Sequence, residues 1–318
     1  MRHLIVGGTG TLGTELARQL LAIPGNRVVC FSRCEMKQKQ LAKALGNPAG
    51  LDFILGDIRD PSAIDRACEG MHTVFHVAAL KHVDTGQRFV EEFAKTDLIG
   101  TFNVAHAARA AGVKFVVFSS TDKAVDPISA YGALKLASEV FLYSQNSGSG
   151  TRFSVYRWGN VLGSNGSFIP ELIEQIQRTG SYRLTHPEMT RFWIPIRDAV
   201  KFLLKSYRTA PSDRALIPPI RAAKLSRVAE TIADLIGVKL RAPEICGLRP
   251  GEKLHEVLSS AHTALPVISS KDPGLQMTDP ELRSLLLTFM GESEIRRPKS
   301  EPRAYRASAN GRHAEASV

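Results

Sequence analysis

The chain has 318 residues, 43% hydrophobic and 23% charged, which suits one large soluble domain or two coupled ones with room for a sizeable core. No apolar run reaches about 18 residues, so no transmembrane helix is expected, and the opening MRHLIVGGTG enters a strand and a glycine turn rather than a signal peptide. The net charge is +10, of which the stretch from Ile295 onward, with six Lys/Arg against two Glu, carries +4; without a basic-aromatic module this favours small phosphorylated ligands over nucleic acid or a membrane surface.

Short apolar runs and helical patterns alternate through the first half. In order they are HLIV (3–6), TLGTELARQLLA, RVVCF (27–31), KQKQLAKAL, LDFIL (51–55), PSAIDRAC, HTVFHV (72–77), a long pattern from about 89 to 111, VKFVVF (113–118), YGALKLASEVFLYSQ and FSVYR (153–157). This alternation predicts an α/β fold, a doubly wound parallel sheet of Rossmann type with right-handed crossovers. After Tyr156 the rhythm changes. GNVLGSNGSFIPELIEQIQR reads as a loop and a helix, SYRLTHPEMTRFWIPIRDAVKFLLKSY as a strand, a loop and a helix, LSRVAETIADLIG as an amphipathic helix, and LRPGEKLHEVL as the end of the ordered part.

The expected organisation is a nucleotide-binding domain over 1–160 to which 190–210 returns, a smaller C-terminal substrate-binding lobe over 161–265, and a 266–318 extension. The Arg-, Ser- and Pro-rich tail reads as disordered from about 298. Cys30, Cys34, Cys68 and Cys246 lack metal-ligand spacing and read as reduced thiols of a cytoplasmic protein, with no metal. Apolar faces on the helices at 89–111 and 131–145 suit a homo-oligomer.

The segment LIVGGTGTLGTELARQLL places Gly7, Gly10 and Gly13 in G-x-x-G-x-x-G spacing between a strand and a helix. Glycines there permit a tight turn and close approach to a pyrophosphate, which meets the helix N-terminus. Gly7, Gly8, Thr9, Gly10, Thr11, Leu12 and Gly13 are the candidate loop. Ile58, Val77, Ala78, Lys81, Ser119, Ser120 and Val161, just past later strands, are further candidates for the cofactor site. The second strand ends in Ser32 and Arg33, with Lys37 a turn on, where an NAD enzyme would carry an acid. A guanidinium there suits a 2′-phosphate, so the cofactor expected is NADP. Asp57 could accept from the adenine amino group or cap the next helix.

Residues 119–135 read SSTDKAVDPISAYGALK. Tyr131 and Lys135 share a helix face at i, i+4, and a lysine beside a phenol should lower the phenol's pKa and ready it for proton transfer. Thr121 can bond the same substrate hydroxyl. This is the arrangement of short-chain dehydrogenases, and the chain resembles the extended branch of that superfamily. Asp122 and Lys123 add an acid and a base that a simple dehydrogenase does not need and that an elimination would use; a plain loop ion pair is the alternative.

The string S-T-D-K-A-x-x-P-x-x-x-Y-G-x-x-K resembles the signature of inverting UDP-N-acetylglucosamine 4,6-dehydratases. AALKHV (78–83), GNVLGSNGS (159–167), MTRFWI (189–194) and RPGEKLHE (249–256) agree with it. The resemblance implies that Tyr131 and Lys135 with NADP oxidise C4 of a UDP-sugar, that Lys123 removes the C5 proton, and that Asp122 helps expel the C6 hydroxyl. It also implies that Lys81 touches cofactor and substrate and that Asn160 is a substrate contact. Arg191 and Arg249 suit a diphosphate, and Glu252 a ribose hydroxyl; an Arg249–Glu252 surface ion pair is the alternative for those two.

The chain departs from the family pattern at Val6, at Asp97 where asparagine is usual, and in VDTGQRFVEEF, which lacks an Asn-Pro. A nucleotide-sugar 4-epimerase, a dehydratase that also epimerises C3, and a cofactor-sensing or RNA-associated member of the fold are the competing readings.

Overall fold

The computed structural model describes residues 1–146, 150–164, 168–260 and 266–292. The expected disorder of the basic tail, and part of the 159–167 loop, lie outside these residues. The first half runs β1 (Arg2–Val6), α1 (Thr11–Leu21), β2 (Arg27–Ser32), α2 (Glu35–Ala44), β3 (Leu51–Leu55), α3 (Pro61–Cys68) and β4 (Thr73–His76). It continues with α4 (Val83–Arg88), α5 (Val90–Phe93), α6 (Gly100–Ala110), β5 (Phe115–Thr121), α7 (Ala130–Ser144) and β6 (Arg152–Trp158). All six strands join one parallel sheet in the order β3-β2-β1-β4-β5-β6.

The strands are apolar throughout because both faces are covered. Leu4, Val6, Val29 and Phe31 enter one hydrophobic cluster, while their chain neighbours Ile5, Val28 and Cys30 enter another on the opposite face. The strand order reverses between β1 and β4. The carboxyl ends of the strands flank a crevice there, the standard ligand site of such sheets.

The predicted helix over 89–111 is not regular. A π-helical turn at Ala94–Ile99 separates α5 from α6, and it buries Thr96 and Asp97. The extra residue per turn rotates the helix, so a strict 3.6-residue pattern cannot follow it.

The second half contains β7 (Asn160–Leu162), α8 (Phe168–Thr179), β8 (Arg183–Leu184), β9 (Thr190–Pro195), α9 (Ile196–Ser206), β10 (Arg221–Lys224) and α10 (Leu225–Ile236). After these come β11 (Glu244–Ile245), β12 (Val257–Ser259), β13 (Ile268–Ser269) and α11 (Asp279–Glu292). β9 is central in a small sheet, antiparallel to β10 and parallel to β7. The expectation that order ends with LRPGEKLHEVL is wrong. Leu282, Leu286 and Phe289 of α11 pack with Ile173 of α8 and Val228 and Ile232 of α10 in a third cluster. Ala199, Val200 and Leu203 of α9 pack against Leu16 and Leu20 of α1. The cysteines are all free. No helix among the described residues is long and apolar enough to cross a membrane.

Candidate active site

A cleft of about 570 Å³ opens over the carboxyl ends of the sheet. Gly10, Thr11, Leu12 and Gly13 line one side, Val77 and Lys81 follow β4, and Ser119, Ser120, Thr121, Lys123 and Tyr131 form the floor. Asn160, Val161 and Trp193 close the other side. Gly7 holds φ +91°, and a Cβ on it would lie 2.6 Å from the backbone nitrogen of Ala78, so only glycine fits where β1 passes the end of β4. Gly7 and Gly8 donate to the carbonyl of Phe31, which ties the loop to β2. No side chain caps α1, and its first turn holds no acid. That helix end and the glycine loop fit an anionic pyrophosphate.

At the end of β2, Ser32 is buried and its hydroxyl accepts from Gln38 at 3.0 Å, while Lys37 is exposed. Arg33 is about half exposed and lies 3.7 Å from Asp57. Asp57 does not cap α3; Asp60 does, accepting from the Ser62 N–H. The Asp57 carboxylate instead accepts the Arg59 N–H in an Asx turn and pairs with the Arg59 guanidinium at 2.7 Å, which holds its pKa below the usual range. Ile58 is core, packed near Gly100. These groups stand beyond the cleft's lining.

β5 delivers the reactive groups. It ends in a 3₁₀ turn at Asp122–Ala124, where the Thr121 hydroxyl accepts the Lys123 N–H at 3.3 Å and donates to Asp122 Oδ1 at 3.0 Å. Asp126 follows with φ +43°, an uncommon conformation for a residue with a side chain. Ser129 then caps α7 by accepting from Gly132 at 3.1 Å. A Cβ on Gly132 would stand 2.2 Å from the Lys123 carbonyl oxygen, so the first turn of α7 rests on the backbone of the Asp122–Lys123 turn.

Asp122 is fully buried; its Oδ1 receives Lys123 Nζ at 2.9 Å, while its Oδ2 has no partner. Burial pushes the Asp122 carboxyl's pKa up, and Lys123 opposes the shift. Burial alone would push the Lys123 ammonium down, but the carboxylates of Asp122 and Glu256 outweigh it, so its pKa is raised.

The expected coupling of Lys135 to Tyr131 takes a different form. Tyr131 is 7% exposed, and burial, with Asp97 adding to it, pushes the phenol's pKa up; the opposing pulls come from Lys123 and a Thr121 hydrogen bond. Lys135 Nζ donates to the Ser119 carbonyl at 2.6 Å and stands 3.8 Å from the Phe118 ring centroid. Burial brings its pKa down to about 8. Asp97 accepts the Leu80 N–H at 2.8 Å, and burial raises its pKa to about 6.

The second half supplies an ion cluster that reaches Lys123. Arg191 is 6% exposed and does not line the cleft. Its guanidinium donates to the carbonyls of Thr190 and Leu254, and it pairs with Glu252 at 3.5 Å and Glu256 at 3.9 Å. Arg249 is exposed, and Glu252 accepts its backbone N–H at 3.3 Å while its ion pair is with Arg191. Arg191 and Glu252, both expected to contact substrate, thus engage each other in this arrangement.

Sequence reasoning quoted RPGEKLHE but passed over Glu256. Its Oε1 is 3.3 Å from Lys123 Nζ. It also missed Glu139 and Arg157, a buried pair with contacts at 2.6, 3.0 and 3.1 Å. Glu139 lies four residues past Lys135, and an acid on the same face of a helix that carries Tyr131 was the available signal.

The fold and this cleft define a Rossmann-fold protein of the short-chain dehydrogenase type. More narrowly, the chain belongs to the family described as polysaccharide biosynthesis protein, which matches residues 3–271. It is 37% identical over 264 residues to the UDP-N-acetylglucosamine 4,6-dehydratase (inverting) of Campylobacter jejuni, covering 81% of this chain and 77% of that protein. It is 36% identical over 265 residues to the UDP-glucose 4-epimerase of Rickettsia rickettsii, with the same coverage of 81% and 77%. Among solved structures, Pen from Bacillus thuringiensis superposes with a TM-score of 0.84 at 30% identity, covering 91% of this chain and 97% of Pen.

Proposed function

We propose that the protein is an NADP-dependent nucleotide-sugar 4,6-dehydratase that acts on UDP-N-acetylglucosamine and inverts C5. The observation that carries this reading is the Asp122–Lys123 pair, 2.9 Å apart, with Asp122 buried beneath the cleft and Lys123 lining it beside Thr121 and Tyr131. A 4-epimerase has no use for a second acid and base at that place. The similarity to the Campylobacter jejuni dehydratase supports the same choice.

The residues act in sequence. Tyr131 accepts the proton of the C4 hydroxyl, which Thr121 also holds. A nicotinamide bound in the cleft would take a hydride from C4 and return it to C6, and its positive ring would oppose the upward pull of burial on the Tyr131 pKa. The ketone at C4 acidifies C5–H. Moving one proton from Lys123 Nζ to Asp122 Oδ1 converts the ion pair into a neutral amine and a neutral acid with no change in proton count. The raised pKa of the Asp122 carboxyl favours that move, and the raised pKa of the Lys123 ammonium opposes it. Lys123 then removes the C5 proton, and Asp122 protonates the departing C6 hydroxyl, which leaves as water. A solvent proton added to C5 from the opposite face gives the L-arabino configuration, and the proton taken by Lys123 returns to solvent. Lys81 and Asn160 line the same cleft and are assigned to substrate, and Arg249 to the diphosphate. Arg33, half exposed at the end of β2, is assigned to the 2′-phosphate; Arg33→Ala should weaken NADP but not NAD, by roughly 10- to 100-fold for one charge-assisted contact.

The test is incubation of the purified chain with UDP-N-acetylglucosamine in deuterium oxide, read by NMR. A 4-keto-6-deoxy product with deuterium at an inverted C5 is the expected result. A C4-epimerised sugar without solvent deuterium would instead support the epimerase reading.

A further inference from the structure

The chemistry proposed above needs Lys123 to hold its proton until substrate arrives and then to aim a free amine at C5. Asp122 alone does not account for its surroundings. Glu256, immediately before β12, is 2% exposed, and its Oε1 stands 3.3 Å from Lys123 Nζ while its Oε2 has no hydrogen-bond partner. A buried carboxylate with an orphan oxygen is costly. This one is held in place by the surrounding fold. The Glu256 N–H donates to the Ser270 hydroxyl at 2.8 Å, the Ser270 N–H donates to the Glu256 carbonyl at 2.8 Å, and Ser270 Oγ is 2.7 Å from Thr190 Oγ1 beside Arg191.

The geometry points to Glu256 as a positioning residue: from the second half of the chain it completes, with Asp122, a two-carboxylate clamp that orients Lys123 Nζ and governs when the amine gives up its proton. This role rests on the dehydratase reading. The charged and titratable groups around Lys123 are Asp122 on its own turn, Glu256 before β12, Arg191 on β9 behind Glu256, Lys253 on the preceding loop and Tyr131 on α7. The two carboxylates favour the ammonium; Arg191 and Lys253 weaken that preference. Removing the charge of Glu256 therefore makes Lys123 easier to deprotonate. The same change frees the amine to leave the direction that the clamp sets, so catalytic turnover should fall even as the base titrates earlier.

The test compares wild-type protein with Glu256→Gln and Glu256→Asp. The free proteins are labelled with trinitrobenzenesulfonate across pH, and modification of the Lys123 peptide is followed by mass spectrometry. Glu256→Gln should move the labelling midpoint to lower pH by about one unit, which is about tenfold more labelling at a fixed pH below the midpoint. Glu256→Asp, whose carboxylate is withdrawn by one methylene, should fall between the two, and it carries the test if the glutamine variant does not fold. With UDP-N-acetylglucosamine, the acid limb of turnover should move the same way in Glu256→Gln and the plateau should drop. Cofactor reduction at C4, which does not use Lys123, should persist. A labelling midpoint unchanged in every folded variant overturns the clamp. A wild-type protein that labels as expected but forms no 4-keto-6-deoxy product overturns the dehydratase reading and the catalytic role with it.

Discussion

Two ion clusters both draw on the end of β5 and the start of β12, and they are built to opposite standards. Glu139 of α7 and Arg157 of β6 form a closed set: the guanidinium meets both carboxylate oxygens, the Ser120 hydroxyl donates to Glu139, and the remaining Arg157 nitrogen donates to the Leu258 carbonyl at 3.0 Å. Asp122, Lys123 and Glu256 form an open set, with one oxygen on each carboxylate left without a partner and Lys123 facing the cleft. A cluster whose hydrogen-bonding capacity is filled fixes geometry, because any movement breaks several bonds at once. A cluster with unfilled capacity at a cleft can exchange protons. The first locks α7 against β5 and β6, and so it holds Tyr131 and Lys135 in place for the second.

The contrast can be broken from either side. Lys123→Ala should lower formation of the 4-keto-6-deoxy product by roughly 10²- to 10⁴-fold, the usual worth of a positioned general base, read by NMR of product and of deuterium at C5. Glu139→Ala leaves Arg157 buried and unpaired and should cost about 3–5 kcal/mol in denaturant unfolding. If activity fell while stability held, Glu139 would belong to the open cluster and the comparison would fail.

A smaller effect of opposite sign is expected at Asp97. Its carboxyl is raised from 3.8 to about 6, chiefly by burial. Between those values the folded protein keeps a proton that the unfolded chain has released, so stability declines as pH rises, and the full penalty is present above the folded pKa. Asp97→Asn keeps an acceptor for the Leu80 N–H and removes the penalty. It should stabilise the protein by up to about 3 kcal/mol at pH 8 and by almost nothing below pH 4, measured as unfolding free energy against pH. The smallest change is Ser129→Ala, which removes the cap of α7 and should cost about 1 kcal/mol. A loss of turnover larger than that stability loss would show that the start of α7 also aims Tyr131.

The sheet was legible because its strands are short, apolar and regularly spaced, and each predicted run lies on or overlaps a strand of the sheet. The glycine loop and the Tyr131–Lys135 spacing were legible because each depends on residues close together in the chain. The irregular helix was not, since the π turn at 94–99 shifts the buried face partway along. The helix α11 lies past the expected end of order, although its Leu282, Leu286 and Phe289 sit at helical spacing. Glu256 was hidden for a different reason. Its partner Lys123 lies more than a hundred residues away, and proximity across that separation exists only after the two halves pack. The pairing of Arg191 with Glu252 was hidden in the same way, since it joins residues 61 positions apart.

In the proposed reaction, the missing side chain at Gly132 would tie proton chemistry to hydride chemistry mechanically. With the helix that carries Tyr131 resting directly on the Lys123 carbonyl, the proposed base and the proposed proton acceptor from C4 are expected to shift together. An engineer who wished to keep C4 oxidation and discard dehydration could replace Lys123 itself. Reshaping the turn around it would tilt the tyrosine as well.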